Sequence, residues 1–366
     1  MPFNYHRFAS YIGSGVGIDS KAGKFDLATG YIVGDGLYDF TSFTFTAAGL
    51  FGNTGPTKAS LLSSYNTTTY PWLNDTNFYD MTTQGIQEWT VPKSGTYRIN
   101  MLGATGGIHG GSFRPAFPGA GAQIEFDTTL VVGDVVNVVV GQKPSSITTS
   151  SGSGAGGGGA SWLYIGSIGG NGLIGVAGGG GGTGHGGAAN KGGNGRGGST
   201  TTDSRETQEG DGYGINFRYA NRSCGNKGIG QGGKSASTGG FTTTYRSGGG
   251  GAGWLSDGDD YTGFGRGGDR FVGGISEDGS PMYGGFGGGG GSGGTGNSGG
   301  GGGGYTGGGS GDGWKSVNAG GNTSNSWGGG GGGGSYYTGT LVSSTQGNDG
   351  INYADTRNGE IEITLL

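Results

Sequence analysis

Apolar and polar residues alternate along several short stretches of the chain. Between Tyr38 and Gln142, the apolar positions at a spacing of two are Phe43, Phe45, Trp89, Val91, Tyr97, Ile99, Met101, Ile124 and Phe126. Polar residues, mainly Thr, Gln, Glu and Asn, lie between them. Because successive side chains of a β-strand point to opposite faces, this pattern predicts strands with one buried and one solvated face. No segment convincingly predicts an α-helix.

Two further segments extend the predicted sheet. Val131–Val140 contains two β-branched runs separated by Gly133-Asp134, a turn signal that predicts a β-hairpin. Residues 359–365 alternate again, so we expect the chain to return near its end and close the same sheet. The sequence therefore predicts a β domain from residues 38–150 and 341–366, with residues 151–340 inserted and held at both ends.

The inserted segment is defined by its glycine content. The chain has 102 Gly among 366 residues, and 78 of them lie in the 190 residues from Ser151 to Thr340. Disorder is disfavoured, because the chain also has 18 Tyr, 16 Phe and 6 Trp and a net charge of only -5. Collagen is excluded, because Gly occurs in runs instead of at every third residue and there are only 8 Pro.

Runs of glycine need a structure that rewards the absence of side chains. The runs are Gly156–Gly159, Gly178–Gly182, Gly248–Gly251, Gly287–Gly291, Gly299–Gly304 and Gly328–Gly334. Gly disfavours both α-helix and ordinary strand by about 0.5–1 kcal/mol per residue. A left-handed helix with three residues per turn has no internal hydrogen bonds, so its backbone groups must find partners on neighbouring segments. The runs therefore predict a bundle of polyglycine II helices.

The bundle must be large to be stable. Ordering a residue costs about 1–2 kcal/mol, whereas a backbone hydrogen bond returns about 0.5–1.5 kcal/mol net. One or two helices would not hold, but a lattice in which each helix has several neighbours could. At about 3.1 Å per residue, Gly328–Gly334 would span roughly 22 Å, which suits one helix crossing a domain.

An ordered series of short motifs resembles a known family. Residues 83–92 (TQGIQEWTVP), 95–99 (GTYRI) and 103–107 (GATGG) begin the series, and residues 119–122, 140–142, 156–162, 176–182 and 299–305 continue it. The series resembles the glycine-rich extracellular region of the anaplastic lymphoma kinase and leukocyte tyrosine kinase receptors. Glycine-rich tail-fibre adhesins of some T-even-type phages are similar.

The resemblance implies an all-β fold with little or no α-helix. The expected architecture is a TNF-like β-sandwich, or jelly roll, carrying an inserted bundle of polyglycine II helices. The receptors of this type bind a cytokine, but this sequence contains no kinase, and its single Cys224 allows no internal disulfide. It has no apolar run of about 18–20 residues, and Met1–Ser14 lacks the pattern of a signal peptide.

These observations favour a phage protein made in the host cytoplasm and exposed on the virion. The expected function is that of a non-enzymatic tail-fibre or appendage component, an adhesin that attaches to a host receptor or glycan and occurs in several copies. Two alternatives remain open. One is a capsid or tail decoration protein that reinforces the particle, and the other is a ligand-binding module of a receptor.

Aromatic segments that interrupt the glycine are the candidate contact sites. They contain the residue types of adaptable binding loops. The candidates for contact with a host or partner are Tyr213, Phe217, Tyr219, Tyr261, Phe264, Trp314 and Trp327. The alternative is that these side chains cover the bundle or pack on the β domain. Residues 1–37 lie outside the resemblance, and Tyr5, Phe8 and Tyr11 are the candidates for docking to another virion protein.

Other motifs have more ordinary explanations. Gly228–Ser235 matches the phosphate-binding P-loop, but no buried strand precedes it, so we expect no nucleotide or other cofactor. Two isolated Arg-Gly-Gly strings in an acidic chain do not indicate nucleic-acid binding. The aspartates at 257, 259, 260 and 269 could bind Ca²⁺, but a solvated loop is the preferred interpretation, and the three His have no metal-ligand spacing. No nucleophile stands beside a base, so no catalytic residue is expected.

Overall fold

The structure is a computed structural model that describes residues 24–26, 31–33, 36–108, 116–145, 154–185, 193–205, 229–234, 248–260, 265–274, 283–292, 298–311, 313–317 and 323–366. The strands in this part of the chain are β1 Lys24–Asp26, β2 Tyr31–Val33, β3 Ser42–Phe45, β4 Tyr79–Thr83, β5 Ile86–Thr90, β6 Gly95–Leu102, β7 Gln123–Leu130, β8 Val135–Val139, β9 Ser161–Ile165, β10 Leu173–Ala177, β11 Gly313–Val317, β12 Thr323–Trp327, β13 Tyr336–Tyr337, β14 Thr340–Thr345 and β15 Glu360–Leu365. The helices are α1 Lys58–Ser64 and the short 3₁₀-helices Pro71–Asn74 and Tyr353–Asp355. The fold is therefore all-β with very little helix.

Two antiparallel sheets form the body of the protein. One has the strand order β13-β10-β9-β8-β5-β4, and the other has the order β14-β7-β6-β15-β3. Strand β15 lies between β6 and β3, with Ile361 opposite both Met101 and Phe45. The prediction that the chain returns at its end to close the same sheet is confirmed.

The two sheets enclose one hydrophobic core. Its buried side chains come from both sheets and include Phe43, Phe45, Trp89, Tyr97, Ile99, Met101, Ile124, Phe126, Val136, Val138, Leu163, Ile361 and Ile363. The alternation that the sequence predicted is confirmed at Tyr97, Ile99 and Met101 of β6 and at Ile124 and Phe126 of β7, which are buried while the residues between them are not. Large apolar side chains on the inner face of each sheet are thus removed from water. This hydrophobic burial is the main force that joins the sheets.

Strands β9 and β10 of the six-stranded sheet are buried on both faces. Its outer face carries a second cluster, in which Trp162, Tyr164 and Val176 pack against Trp254 and Phe286 from the glycine-rich segment. Strands β9, β10 and β13 all come from the inserted residues 151–340. The sheet and the glycine-rich region are therefore interleaved along the chain, and the composition boundary at residue 151 is not a boundary of the sheet.

The predicted hairpin at Val131–Val140 is wrong. Strand β7 ends at Leu130 and pairs with β6 and β14, whereas β8 pairs with β5 and β9 in the other sheet. Gly133 has a φ of +84° and donates its N–H to Val91 O at 2.9 Å. The turn is real, but it carries the chain from one sheet to the other, because the partners of β7 and β8 are set by the core and not by the turn.

Three small elements lie outside the two main sheets. Helix α1 begins after Thr57, whose hydroxyl oxygen accepts the Ser60 N–H at 3.2 Å as an N-cap. Strands β1 and β2 pair only with each other among the described residues, and β11 pairs with β12. The docking candidates Tyr5, Phe8 and Tyr11 lie outside the described residues.

Candidate functional site

The glycine segment 178–184 lies within a network of backbone hydrogen bonds to other glycine-rich segments. The six N–H groups from Gly179 to Gly184 donate to three other segments of the chain. The donors and acceptors are Gly179 to Gly303, Gly180 to Ala104, Gly181 to Arg196, Gly182 to Gly300, Thr183 to Gly107 and Gly184 to Gly193, at 2.8–3.2 Å. Every third N–H returns to the same neighbouring segment.

The carbonyl oxygens of this segment show the same repeat. They accept N–H groups from three more segments, in the pairs Gly178 from Ala122, Gly179 from Gly333, Gly180 from Gly158, Gly181 from Gly119, Gly182 from Gly330 and Thr183 from Ala155. An α-helix would bond within itself and a β-strand would alternate with a period of two. The three-residue repeat belongs to neither.

Segment 299–304 is bonded in the same way. Gly302 donates its N–H to Gly331 O at 2.9 Å, and Gly302 O accepts the Gly308 N–H at 2.8 Å. A Cβ built on Gly302 would overlap the carbonyl oxygen of Gly179. Residues 299–304 are buried, and Gly302 has no room for any side chain. Glycine is needed here because backbones approach each other closely.

Aromatic side chains fasten this network to the six-stranded sheet. Trp162 Nε1 donates to Gly287 O at 3.2 Å, and Trp254 Nε1 donates to Gly170 O at 3.1 Å. The two indole rings are stacked with their centroids 5.9 Å apart. Buried tryptophans normally satisfy their N–H in this way. The pair therefore contributes both apolar area and directional hydrogen bonds to the contact between the glycine segments and the six-stranded sheet, which we call the seam.

Phe286 is the second anchor of the seam. It is 2% exposed, and its backbone N–H donates to Gly52 O at 2.7 Å. Its ring fills the space over Gly55 and Gly85, where a Cβ on either glycine would overlap it. Three parts of the chain that are distant in sequence therefore meet at one phenylalanine.

An ion-pair cluster ties the end of the chain to the glycine network. The Asp349 carboxylate accepts hydrogen bonds from Arg196 Nη1 at 2.7 Å, Arg205 Nη1 at 2.6 Å and the Gly197 N–H at 2.8 Å. Burial raises the pKa of Asp349, but the Gly197 N–H and the two guanidinium groups outweigh burial and hold the pKa below its usual value. The cluster fixes Arg205, the last described residue before position 229.

The aspartate-rich segment is held by the protein's own donors. Asp257 Oδ1 accepts the Arg270 N–H at 2.8 Å, and Asp260 Oδ1 accepts the Gly267 N–H at 2.8 Å. Burial, with the nearby charges of Asp257 and Asp260, raises the pKa of Asp269. Within the described ranges, no group of three or more His, Cys, Asp and Glu residues is arranged to hold a metal ion.

The sequence-predicted contact residues fall into three groups. Tyr213, Phe217, Tyr219, Tyr261 and Phe264 lie outside the described residues. Trp314 is in β11, opposite Ser326 of β12. Trp327 is 8% exposed and its ring lies 5.3 Å from the ring of His185, so it offers little surface to a partner.

No protein-family model matches the sequence, and no curated protein matches it. The α-helix that the structure describes has seven residues, and no helix in the described ranges has the length and hydropathy of a membrane span. What the chain does must therefore follow from its own residues.

The P-loop motif is part of the glycine network. Gly233, whose N–H a phosphate loop would offer to a ligand, donates that N–H to Gly251 O at 2.8 Å. The Arg side chain of the first Arg-Gly-Gly string, Arg196, is paired with Asp349. The role of Asp349 could not be found from the sequence, because no local pattern marks a carboxylate that closes a contact over more than a hundred residues.

Proposed function

We propose that the chain is a non-enzymatic structural protein of a bacteriophage virion, a tail-fibre or appendage component that presents loops for attachment to the host surface. The observation that carries the proposal is the three-residue repeat of lateral hydrogen bonds around segment 178–184. It supports a rigid slab of backbone, built without disulfides, whose purpose is to hold other parts of the chain in place.

The finer fold is part of the proposal. We infer that the glycine segments are polyglycine II helices in hexagonal packing, because the partners of segment 178–184 repeat with the three-residue period of that helix. We also infer a TNF-like jelly roll for the two-sheet body. The antiparallel pairing, the shared core and the crossing from β7 to β8 between sheets support it.

The candidate loops leave and re-enter the rigid network at fixed points. The segment with Tyr213, Phe217 and Tyr219 follows Arg205, which Asp349 holds. It ends before Gly230, whose N–H donates to Thr306 Oγ1 at 2.9 Å. Binding residues are commonly carried on loops that a rigid scaffold positions. This arrangement suits contact with a host receptor or glycan.

The assembly context follows from the same proposal. Residues 1–37 would dock on a neighbouring virion protein through Tyr5, Phe8 and Tyr11, and several copies would occupy symmetric positions. The protein would assemble in the host cytoplasm and face outward on the particle. No cofactor, nucleic acid or catalytic step is part of this function.

Imaging of particles tests the location. Purified virions carrying the chain would be decorated with gold-labelled antibody against it and viewed by electron microscopy. Labelling at the fibres or appendages is the expected result. Labelling over the head or tail wall would favour a decoration protein instead, and particles without label would overturn the virion assignment.

Adsorption of the purified chain to host cells tests attachment. A variant combining Tyr213→Ala, Phe217→Ala and Tyr219→Ala should bind host cells at least about tenfold more weakly, as expected when central aromatic anchors are removed. Phe51→Ala is the matched control, since Phe51 is 60% exposed and lies outside these loops. Equal binding by all three proteins would reject these loops as the contact site.

A further inference from the structure

Strand β14 is an exposed edge of the five-stranded sheet. Every residue from 339 to 346 is exposed, on both faces of the strand. Two apolar side chains, Leu341 and Val342, are 40% and 42% exposed. Leu341 lies opposite the buried Phe126 of β7, so it borders the core without being covered. The five-stranded sheet thus extends beyond the part that the six-stranded sheet covers. The edge strand β13 of the six-stranded sheet has only two residues.

One side of β14 leaves its backbone groups without a protein partner in the described part of the chain. Its ladder is formed with β7 alone, from Thr340 opposite Asp127 to Thr345 opposite Gln123. No backbone hydrogen bond joins residues 340–345 to any other described segment. Such a row of N–H and C=O groups is a template for another extended strand.

The other sheet edges are protected by side chains. At β3, the next residue Thr46 donates its N–H to the Tyr65 hydroxyl at 2.9 Å. At β4, Lys58 of α1 pairs with Asp80 at 2.8 Å. At β13, the ring of Tyr336 is stacked on Tyr305 with a centroid distance of 4.8 Å. The contrast singles out β14 among the edges of the two sheets that the structure describes.

The charge pattern favours a second copy of β14 as the occupant. Residues 338–347 contain no charged side chain and no proline, the two devices that commonly protect an edge. The neighbouring strand β7 carries two acidic residues, Glu125 and Asp127. Pairing through β14 would keep the two β7 strands about 14 Å apart, which exceeds the screening length of about 8 Å at physiological salt.

We propose that two copies of this chain associate by antiparallel pairing of their β14 strands, which joins their five-stranded sheets into one. The strand is about 20 Å long, so the contact is much smaller than the roughly 1,600 Å² of a standard interface. The pairing is therefore weak in dilute solution and effective where copies are concentrated. It does not depend on the proposed virion role. The β-bulge between Leu341 and Ser343 adds twist to the joined sheet.

Disulfide trapping of the full-length chain tests the pairing. Val342→Cys, Ser343→Cys and Ser344→Cys are made singly in a Cys224→Ser background and oxidised mildly at high protein concentration. Residues opposite each other in an antiparallel pair have Cβ atoms about 4.5–5.5 Å apart, so at least one position should form dimers. Val131→Cys is the matched control, because Val131 is 52% exposed but precedes the turn to β8.

The expected result is a rate of dimer formation at least tenfold above that of the control. Adding Leu341→Lys should return the rate to the control level, because it places like charges across the strand pair, whereas adding Val131→Lys should not. Circular dichroism of each variant checks that the fold is kept. Equal trapping rates at all four positions would overturn the proposal.

Discussion

Arg205 donates from Nη1 and Nη2 to the two carboxylate oxygens of Asp349, at 2.6 and 3.1 Å, although the residues lie 144 positions apart. Asp349 also accepts the Gly197 N–H. The side chains are 22% and 27% exposed, so the pair is partly shielded from water. This contact joins the glycine-rich network to the part of the chain that leads into β15.

Replacing Asp349 by Asn should destabilise the protein by about 1–2 kcal/mol at pH 7, because two guanidinium groups lose their charged partner. The pKa of Asp349 lies below its usual value, so the unfolded chain binds more protons as the pH falls. The stabilisation is present above about pH 4, the range of an unfolded aspartate, and is lost as the pH falls through the folded pKa. Urea unfolding at pH 7 and pH 3 measures both effects.

The Arg98–Asp127 pair provides a control with the same bidentate geometry. Arg98 Nε and Nη2 donate to the two Asp127 carboxylate oxygens at 2.9 and 3.0 Å on the solvated face of one sheet. Asp127 has one guanidinium partner here, whereas Asp349 has two and a backbone N–H, so Asp127→Asn should cost less than Asp349→Asn. If the two variants lose the same stability, the long-range tie at Asp349 has no special role.

Gly302→Val should lower the free energy of unfolding by at least about 3 kcal/mol or prevent folding, because overpacking of a close-packed site is severely destabilising. Its Cβ would overlap Gly179 O and displace the segment that lies against it. Thermal unfolding measures the effect. Gly302→Ala and Gly95→Ala form a matched pair, since a Cβ on Gly95 would meet only the end of the Leu365 side chain at 3.0 Å. An unchanged melting temperature in Gly302→Val would contradict the close packing of these segments.

Phe286→Ala should cost about 3–5 kcal/mol, the usual range for a fully buried phenylalanine. The ring fills the space over Gly55 and Gly85 and belongs to the buried cluster on the outer face of the six-stranded sheet. Phe51→Ala makes the same chemical change at a position that is 60% exposed and should change stability by less than about 0.5 kcal/mol. Denaturant unfolding of both variants compares them directly, and similar losses would argue against Phe286 as an anchor.

The sequence predicted the strands whose environment is one-sided and missed those that are buried on both faces. Alternation in β6 and β7 is a local signal, so Tyr97, Ile99 and Phe126 could be assigned to the core. Strands β9 and β10 are buried almost throughout and show no alternation, and they lie among glycine runs. Buried strands of this kind look like any short apolar segment.

The long-range contacts could not be predicted from the sequence, for a different reason. The turn at Gly133 was visible, but its direction between sheets depends on the partners that β8 finds in β5 and β9. The Asp349 cluster and the packing of Trp327 on His185 depend on how distant segments meet. The sequence did predict that the glycine runs bond laterally, because their backbone N–H and C=O groups have no partners within a run. It could not predict which segments are the partners.

Tyr97 should make the protein sensitive to alkali. Burial raises the pKa of Tyr97 to about 12, and its hydroxyl donates to Lys93 O at 2.6 Å. Because an unfolded tyrosine titrates near about 10, the unfolded chain loses its proton first, and stability falls by about 1.4 kcal/mol per pH unit between these values. Tyr97→Phe should cost about 1 kcal/mol at pH 8, and the difference from the native chain should vanish near pH 11. The ionisation of buried Tyr65 affects the stability of both proteins equally, so it cancels in this comparison. Urea unfolding at pH 8, 10 and 11 gives the comparison, and a difference that stays constant with pH would show that the Tyr97 hydroxyl ionises equally in the folded and unfolded chains.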